Sequence, residues 1–104
     1  MAKYLLAYRG GGMPEGEEAQ AQVMGAWTAW FTAAGGAVAD PGNPTTTSRT
    51  VAADGSVGPV GPASLSGYTI VSADSLDAAV ALASSCPVLA GGASIEVIET
   101  FDVM

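Results

Sequence analysis

The last third of the chain limits its possible folds more than any other stretch. Residues 68–72 and 95–98 alternate in the manner of two short β-strands. Between them, four apolar residues recur at helical spacing: Leu76, Ala79, Val80 and Ala83. Asp74-Ser75 supplies an N-cap, and Cys86-Pro87 predicts the end of the helix, because the residue before a proline disfavours the α region. The pattern therefore predicts a strand–helix–strand unit.

The first third of the chain predicts a similar layout. Residues 3–9 form a short, mostly apolar strand, and the glycine-rich segment 10–16 is a flexible loop. A helix is predicted over 17–34, because Glu17 and Glu18 suit its positive end and Gly35-Gly36 ends it. Its apolar stripe consists of Val23, Met24, Trp27, Trp30, Phe31 and Ala34.

The middle of the chain is rich in turn-forming residues. A second strand is predicted to begin at 37–39, to be interrupted by the turn at 40–44 and to resume at 48–53. Asp54-Gly55-Ser56 is typical of a hairpin turn. We expect residues 57–66, which hold Pro59, Pro62 and two glycines, to be irregular and mobile.

These segments follow the order β-α-β-β-α-β, which predicts one α+β domain over residues 1–104. A four-stranded antiparallel sheet with both helices on one face satisfies that order, which is the ferredoxin-like arrangement. Such a sheet leaves its other face uncovered, and the strands carry apolar residues on both faces. We therefore expect a homodimer that pairs through the sheet.

The charge of the chain excludes some classes of partner. The net charge is −7, and the only cations are Lys3, Arg9 and Arg49. Nucleic acids and anionic membrane surfaces bind clusters of Lys and Arg, so neither is an expected partner. The uncharged stretches 19–39 and 78–95 hold too many polar, glycine or proline residues to span a membrane. Without a basic leader segment, and with one cysteine, the chain is expected to be cytoplasmic.

An ordered set of segments over nearly the whole chain resembles the YCII-related family. These segments are 3–8 (KYLLAY), 24–31 (MGAWTAWF), 38–44 (VADPGNP), 48–51 (SRTV) with Asp54-Gly55, 67–71 (GYTIV) with 75–79 (SLDAA), and Cys86-Pro87 with 94–97 (SIEV). The resemblance implies a ferredoxin-like dimer of the dimeric α+β barrel superfamily.

The chain departs from that family at the positions where catalytic groups are expected. Many members resemble enzymes through a histidine in the first helix and a nearby aspartate, a pair suited to proton transfer. Here the matching positions are 24–26 and about Ala34, and there is no histidine. Another branch carries Asp-Gly-Pro-Phe before the third strand, where this chain has VGPVGP at 57–62. Neither set of catalytic roles is therefore carried over.

The sequence gives little indication of a metal site, a phosphate-binding loop or a reactive thiol. We expect no metal and no cofactor, because there is no histidine and the carboxylates lack ligand spacing. Gly10-Gly11-Gly12 is more typical of a plain loop than of a phosphate cradle, since no Lys-Ser or Lys-Thr follows. Cys86 is interpreted as a small buried residue, with a reactive thiol as the alternative.

A small-molecule site is predicted from five residues: Arg9, Trp27, Asp40, Arg49 and Tyr68. Arg9 or Arg49 would hold an anionic group, and aromatic side chains would supply contact. Two of the five have simpler interpretations. Asp40 is also a typical turn former, and Trp27 with Trp30 is also typical of core packing.

Three functions are compatible with these residues. The first is a small homodimer that binds a small molecule without efficient catalysis. The second is a lyase or isomerase acting on a small acid, with Asp40 or Glu96 as base and Arg49 holding the substrate. The third is an interaction module for a regulatory partner, which should expose an apolar patch that homodimerisation leaves uncovered.

Overall fold

A computed structural model describes residues 2–103 and contains two α-helices and two β-sheets. The elements are β1 (Ala2–Arg9), α1 (Glu17–Ala34), β2 (Val38–Asp40), β3 (Thr47–Ser48), β4 (Gly61–Pro62), β5 (Gly67–Ala73), α2 (Leu76–Ala83) and β6 (Ser94–Glu99). Short 3₁₀ turns follow the two helices at Gly35–Ala37 and Pro87–Gly91. The predicted α+β class is confirmed.

The main sheet has four antiparallel strands in the order β2-β5-β1-β6. Strand β1 is central: Leu5 pairs with Ile70 of β5 on one side and with Ile98 of β6 on the other. Alternate side chains of a strand point to opposite faces. The register therefore sorts the side chains of β1, β5 and β6 into two sets.

One face of the sheet carries the core, and both helices contribute to it. Its buried cluster contains Tyr4, Leu6, Tyr8, Val71 and Ala73 from the strands, Trp30 from α1, and Ala79, Ala83 and Cys86 from α2 and the segment that follows. Leu6 and Val71 are fully buried. Burial of a residue of this size contributes about 1.5–3 kcal/mol, so this cluster is the main source of stability.

Local features of the sequence predict some of the helix ends but not all of them. Helix α1 spans the predicted residues, and Gly35 ends it with a φ of 55°. The hydroxyl of Ser75 accepts a hydrogen bond from the Ala78 N–H, which confirms the predicted N-cap of α2. Helix α2 ends at Ala83, earlier than the Cys86-Pro87 stop predicts, because the Ser85 and Cys86 N–H groups bond to carbonyls three residues back rather than four.

Three apolar residues assigned to helix faces are more exposed than their spacing predicts. Met24 is 56% exposed, although it was placed in the apolar stripe of α1. Leu76 and Val80 of α2 are also exposed, while Ala79 and Ala83 are buried. A helix that lies on a sheet buries only the narrow set of residues along its contact line, and the spacing alone does not fix where that line runs.

The middle of the chain forms a second, two-stranded sheet, which corrects the prediction for this region. Strand β3 pairs with β4 through Thr47–Pro62 and Ser48–Gly61, and Val51 bridges to Val57. The resumed second strand therefore pairs within its own hairpin rather than in the main sheet. Residues 57–66, expected to be irregular, supply one side of this hairpin. We call residues 45–65 the arm.

Candidate functional site

The face of the main sheet opposite the helices is the open face. Its side chains come from Lys3, Leu5, Ala7 and Arg9 of β1, Tyr68, Ile70 and Ser72 of β5, and Ser94, Glu96 and Ile98 of β6. Leu5, Ile70 and Ile98 are cross-strand neighbours and form an apolar row across the centre. All three are only half-buried within the chain. An apolar row in this position can contact another molecule.

One end of the open face is polar. The Arg9 guanidinium donates a hydrogen bond to the Glu96 carboxylate at 3.1 Å, and both side chains are about half exposed. Ala7 pairs with both Tyr68 and Glu96 across the sheet and is 1% exposed, so it forms a floor between them. The guanidinium of Arg9 keeps further donors that a small anion could use, because arginine presents five N–H groups in a planar fork.

Asp40 lies at the edge of the sheet and serves the backbone. Its carboxylate accepts a hydrogen bond from the Gly42 N–H at 2.8 Å, which is an Asx turn. Gly42 has a φ of 74°, and a Cβ there would overlap the Tyr68 carbonyl oxygen. The turn is thus packed directly on β5. This arrangement favours the turn-former interpretation of Asp40 over the pocket acid.

The structure separates the other two predicted site residues from the open face. Trp27 lies on the helix side, where its ring centroid is 5.8 Å from that of Tyr8 and 5.5 Å from that of Phe31. Arg49 lies on the arm and is exposed. Of the five predicted residues, Arg9 and Tyr68 share one face, Asp40 of β2 pairs with Ile70 of β5, and Trp27 and Arg49 lie elsewhere.

A buried chain of polar groups on the helix side was missed by the sequence analysis. The Tyr8 hydroxyl donates to the Thr69 hydroxyl at 2.6 Å, and Thr69 donates to the Pro41 carbonyl at 3.0 Å. The Cys86 thiol lies 3.7 Å from the Tyr8 hydroxyl and donates to it. The signal in the sequence was the inward position of Thr69, which is set by the alternation around Tyr68, Ile70 and Ser72.

The pKa values of Tyr8 and Cys86 indicate that this buried network of polar groups is structural. Burial raises the pKa of the Tyr8 hydroxyl, and the hydrogen bond to Thr69 opposes only part of that effect. Burial also raises the pKa of the Cys86 thiol. A thiol kept protonated is a poor nucleophile. The geometry therefore favours the buried-residue interpretation of Cys86 over the reactive thiol.

Two surface depressions do not involve the predicted site residues. One, of about 370 Å³, is lined by Ala2, Lys3, Glu99, Thr100, Phe101 and Asp102. The other, of about 150 Å³, is lined by Val80, Ala83, Ser84, Leu89, Ile95 and Val97. Neither brings a carboxylate together with Arg9, Arg49 or Trp27.

Within residues 2–103, no group of three or more His, Cys, Asp or Glu residues is arranged to hold a metal ion. Neither described helix combines the length and the apolar character that crossing a membrane requires.

Comparison with protein-family models, with curated proteins and with solved structures finds no match to this chain. The resemblance to the YCII-related family therefore stays a prediction.

Proposed function

We propose that this chain is a ferredoxin-like, YCII-related protein that forms a homodimer through its open face and binds a small organic anion at the polar end of that face, without efficient catalysis. The observation that carries the proposal is the apolar row of Leu5, Ile70 and Ile98 on a face that neither described helix covers. The strand order β2-β5-β1-β6 is compatible with the ferredoxin-like arrangement.

The dimer supplies what a single chain lacks, an enclosed site. In one chain, Arg9, Glu96 and Tyr68 lie on an open surface rather than in a cleft. Ligand sites are usually concave and bury most of the ligand, and they occur preferentially at interfaces between domains. A second sheet packed over the apolar row would roof the polar end and exclude water from the Arg9–Glu96 pair. The ligand class follows from Arg9, whose guanidinium suits carboxylate or phosphate groups.

The geometry weighs against the lyase or isomerase alternative. A general base needs a free carboxylate within hydrogen-bond reach of the substrate. The Asp40 carboxylate accepts from Gly42, and the Glu96 carboxylate pairs with Arg9. The test is to assay small carboxylic acids for turnover with wild type and with Asp40→Asn and Glu96→Gln. If wild type shows turnover and either substitution abolishes it, the protein is an enzyme and the binding proposal is wrong.

The dimer is tested with one substitution on each face of the chain. Leu5→Glu places a charge in the apolar row, whereas Leu76→Glu makes the same change at an exposed position of α2. Sedimentation at micromolar concentrations is expected to show dimers for wild type and Leu76→Glu, and monomers of 10.2 kDa for Leu5→Glu. A monomeric wild type, or a Leu5→Glu variant as dimeric as the control, would disprove dimerisation through this face.

The ligand site is tested by binding rather than by turnover. Calorimetric titration with small carboxylates and inorganic phosphate is expected to give a signal in wild type that falls at least tenfold in affinity in Arg9→Gln. Arg49→Gln is the matched control, because it removes the same charge from the arm. Equal losses in both variants would show that net charge, and not Arg9, governs binding.

A further inference from the structure

The arm is an ordered hairpin with no core behind it. Its backbone is held by bonds such as Ala63 N–H to the Thr46 carbonyl at 3.1 Å and Gly58 N–H to the Thr50 carbonyl at 2.7 Å. Nevertheless, none of residues 45–65 is buried. Three valines are largely exposed: Val51 at 66%, Val57 at 55% and Val60 at 57%. Two-stranded hairpins of this kind are at best marginally stable in water when nothing packs against them.

The arm forms a sheet of its own, separate from the main sheet, and the described residues have an extended shape. The chain measures 44 × 39 × 17 Å and has a radius of gyration of 15.3 Å. A compact domain of about 100 residues has a radius of gyration of roughly 13 Å. The described residues thus form a thin, extended body, in which the three valines of the arm stay largely exposed.

We propose that the arm is a clasp, which packs onto the second copy of this chain in the homodimer. The inference depends on the homodimer proposed above and adds the element that holds it together. In a two-fold dimer each arm contacts the partner, so the contact is made twice.

Interface size is the first argument for a second copy as the occupant. The open face offers about ten outward side chains from β1, β5 and β6. A stable interface of standard size uses about 20–30 residues on each side. The open face alone falls short of that number. The arm, of about twenty residues, supplies the difference.

Charge is the second argument. Arg49 and Asp54 cancel within the arm, so the net charge of −7 lies entirely on the rest of the chain. If two chains met through their sheet faces alone, two acidic surfaces would come together. Like-charge repulsion would oppose that contact. A neutral, valine-bearing arm adds contact area without adding to that repulsion.

The prolines of the arm indicate how it makes contact. Pro59 and Pro62 lack a backbone N–H, and prolines on a strand edge disfavour the addition of a further strand. The arm is therefore expected to pack through its side chains rather than to extend the sheet of the partner.

The first test compares two triple variants of the full chain. Val51→Ser, Val57→Ser and Val60→Ser together are expected to weaken dimerisation at least tenfold in sedimentation. The matched control is Leu76→Ser, Val80→Ser and Val103→Ser, which removes three exposed apolar side chains outside the arm. It is expected to leave the dimer unchanged. If wild type dimerises and the two triple variants dimerise with the same dissociation constant, the clasp is wrong but the dimer stands. A wild type that never dimerises would overturn both.

The second test measures hydrogen exchange in the arm itself. It uses only wild-type protein, so it does not depend on whether a variant folds. Hydrogen exchange of the Ala52, Gly58 and Ala63 amides is measured in wild type above and below the concentration of half-dimerisation. These amides are expected to be protected at least tenfold more in the dimer, while the Val71 amide of the core serves as the control. Arm amides that exchange equally fast in monomer and dimer would show that the arm is free in the dimer, and the clasp would be wrong.

Discussion

Strands β1 and β5 and strands β3 and β4 are both antiparallel pairs, yet only the first pair has a core behind it. The first pair runs over seven residue pairs and buries Leu6 and Val71 beneath the helices. The second pair has two residue pairs and a bridge, and its valines face solvent. Burial therefore holds the first pair, whereas turn chemistry holds the second. In the arm, Asp54 accepts hydrogen bonds from the Ser56 N–H and hydroxyl.

This difference matters for function, because the two pairs depend differently on a second molecule. The β1–β5 pair is complete within one chain, although its open face remains available. The arm has local order but no tertiary cover, so its stability in solution should depend on concentration. Substitutions that are severe in one pair should be mild in the other.

The largest expected effect is the loss of a core side chain. Leu6→Ala removes a fully buried side chain and should lower the free energy of unfolding by about 2–5 kcal/mol. Val57→Ala in the arm should change it by less than about 0.5 kcal/mol in dilute, monomeric protein. Urea unfolding of the two variants measures both. A loss of similar size at Val57 would mean that the arm is part of the core of the single chain.

Two glycine substitutions compare the turn beside β5, at Gly42, with the turn of the arm, at Gly55. Gly42→Ala places a Cβ against the Tyr68 carbonyl at a φ of 74°, so we expect a loss of about 2–4 kcal/mol from steric overlap and backbone strain. Gly55 also has a positive φ, of 89°, but a Cβ added there would have no neighbouring atom within 4 Å. Gly55→Ala should lose only about 1–2 kcal/mol, the cost of the left-handed conformation. Thermal unfolding that ranks Gly55→Ala as the more damaging would contradict the packing of the Gly42 turn on β5.

The smallest expected effect is a pH dependence confined to the core. Burial raises the pKa of the Cys86 thiol in the folded state. A raised folded pKa means that stability is fully present below the unfolded pKa and is lost as the pH rises toward the folded one. The free energy of unfolding should therefore be flat near pH 7 and fall above about pH 8.5, the ordinary pKa of a thiol.

The control for that prediction is Cys86→Ala. It should delay the fall until the tyrosines begin to titrate, near pH 10 in the unfolded chain. The Tyr8 hydroxyl, whose pKa burial also raises, then lowers stability in the same direction. The same onset near pH 8.5 in both proteins would assign the effect to a group other than Cys86.

The candidate site was harder to predict than the elements that carry it. Arg9 and Tyr68 were grouped with the other candidates on chemical grounds, and they share one face because the register of β1 and β5 sets the direction of their side chains. The Arg9–Glu96 pair was not foreseen, because residues 87 apart in the sequence meet only through strand pairing. Trp27 and Arg49 were grouped with them on chemical grounds, but α1 lies on the other face and the arm projects from the sheet.

Local patterns in the chain are enough to predict the extent of α1, the Ser75 cap of α2, and the strands β1, β5 and β6. Caps, glycine stops and hydrophobic periodicity act over a few neighbouring residues, so these elements can be read from short segments. The pairing of residues 47–62 with themselves rather than with the main sheet, and the choice of buried residues on each helix, depend on the folded chain. Those outcomes depend on which strands find a partner and which surfaces meet, and such long-range pairing has no local signature in the chain.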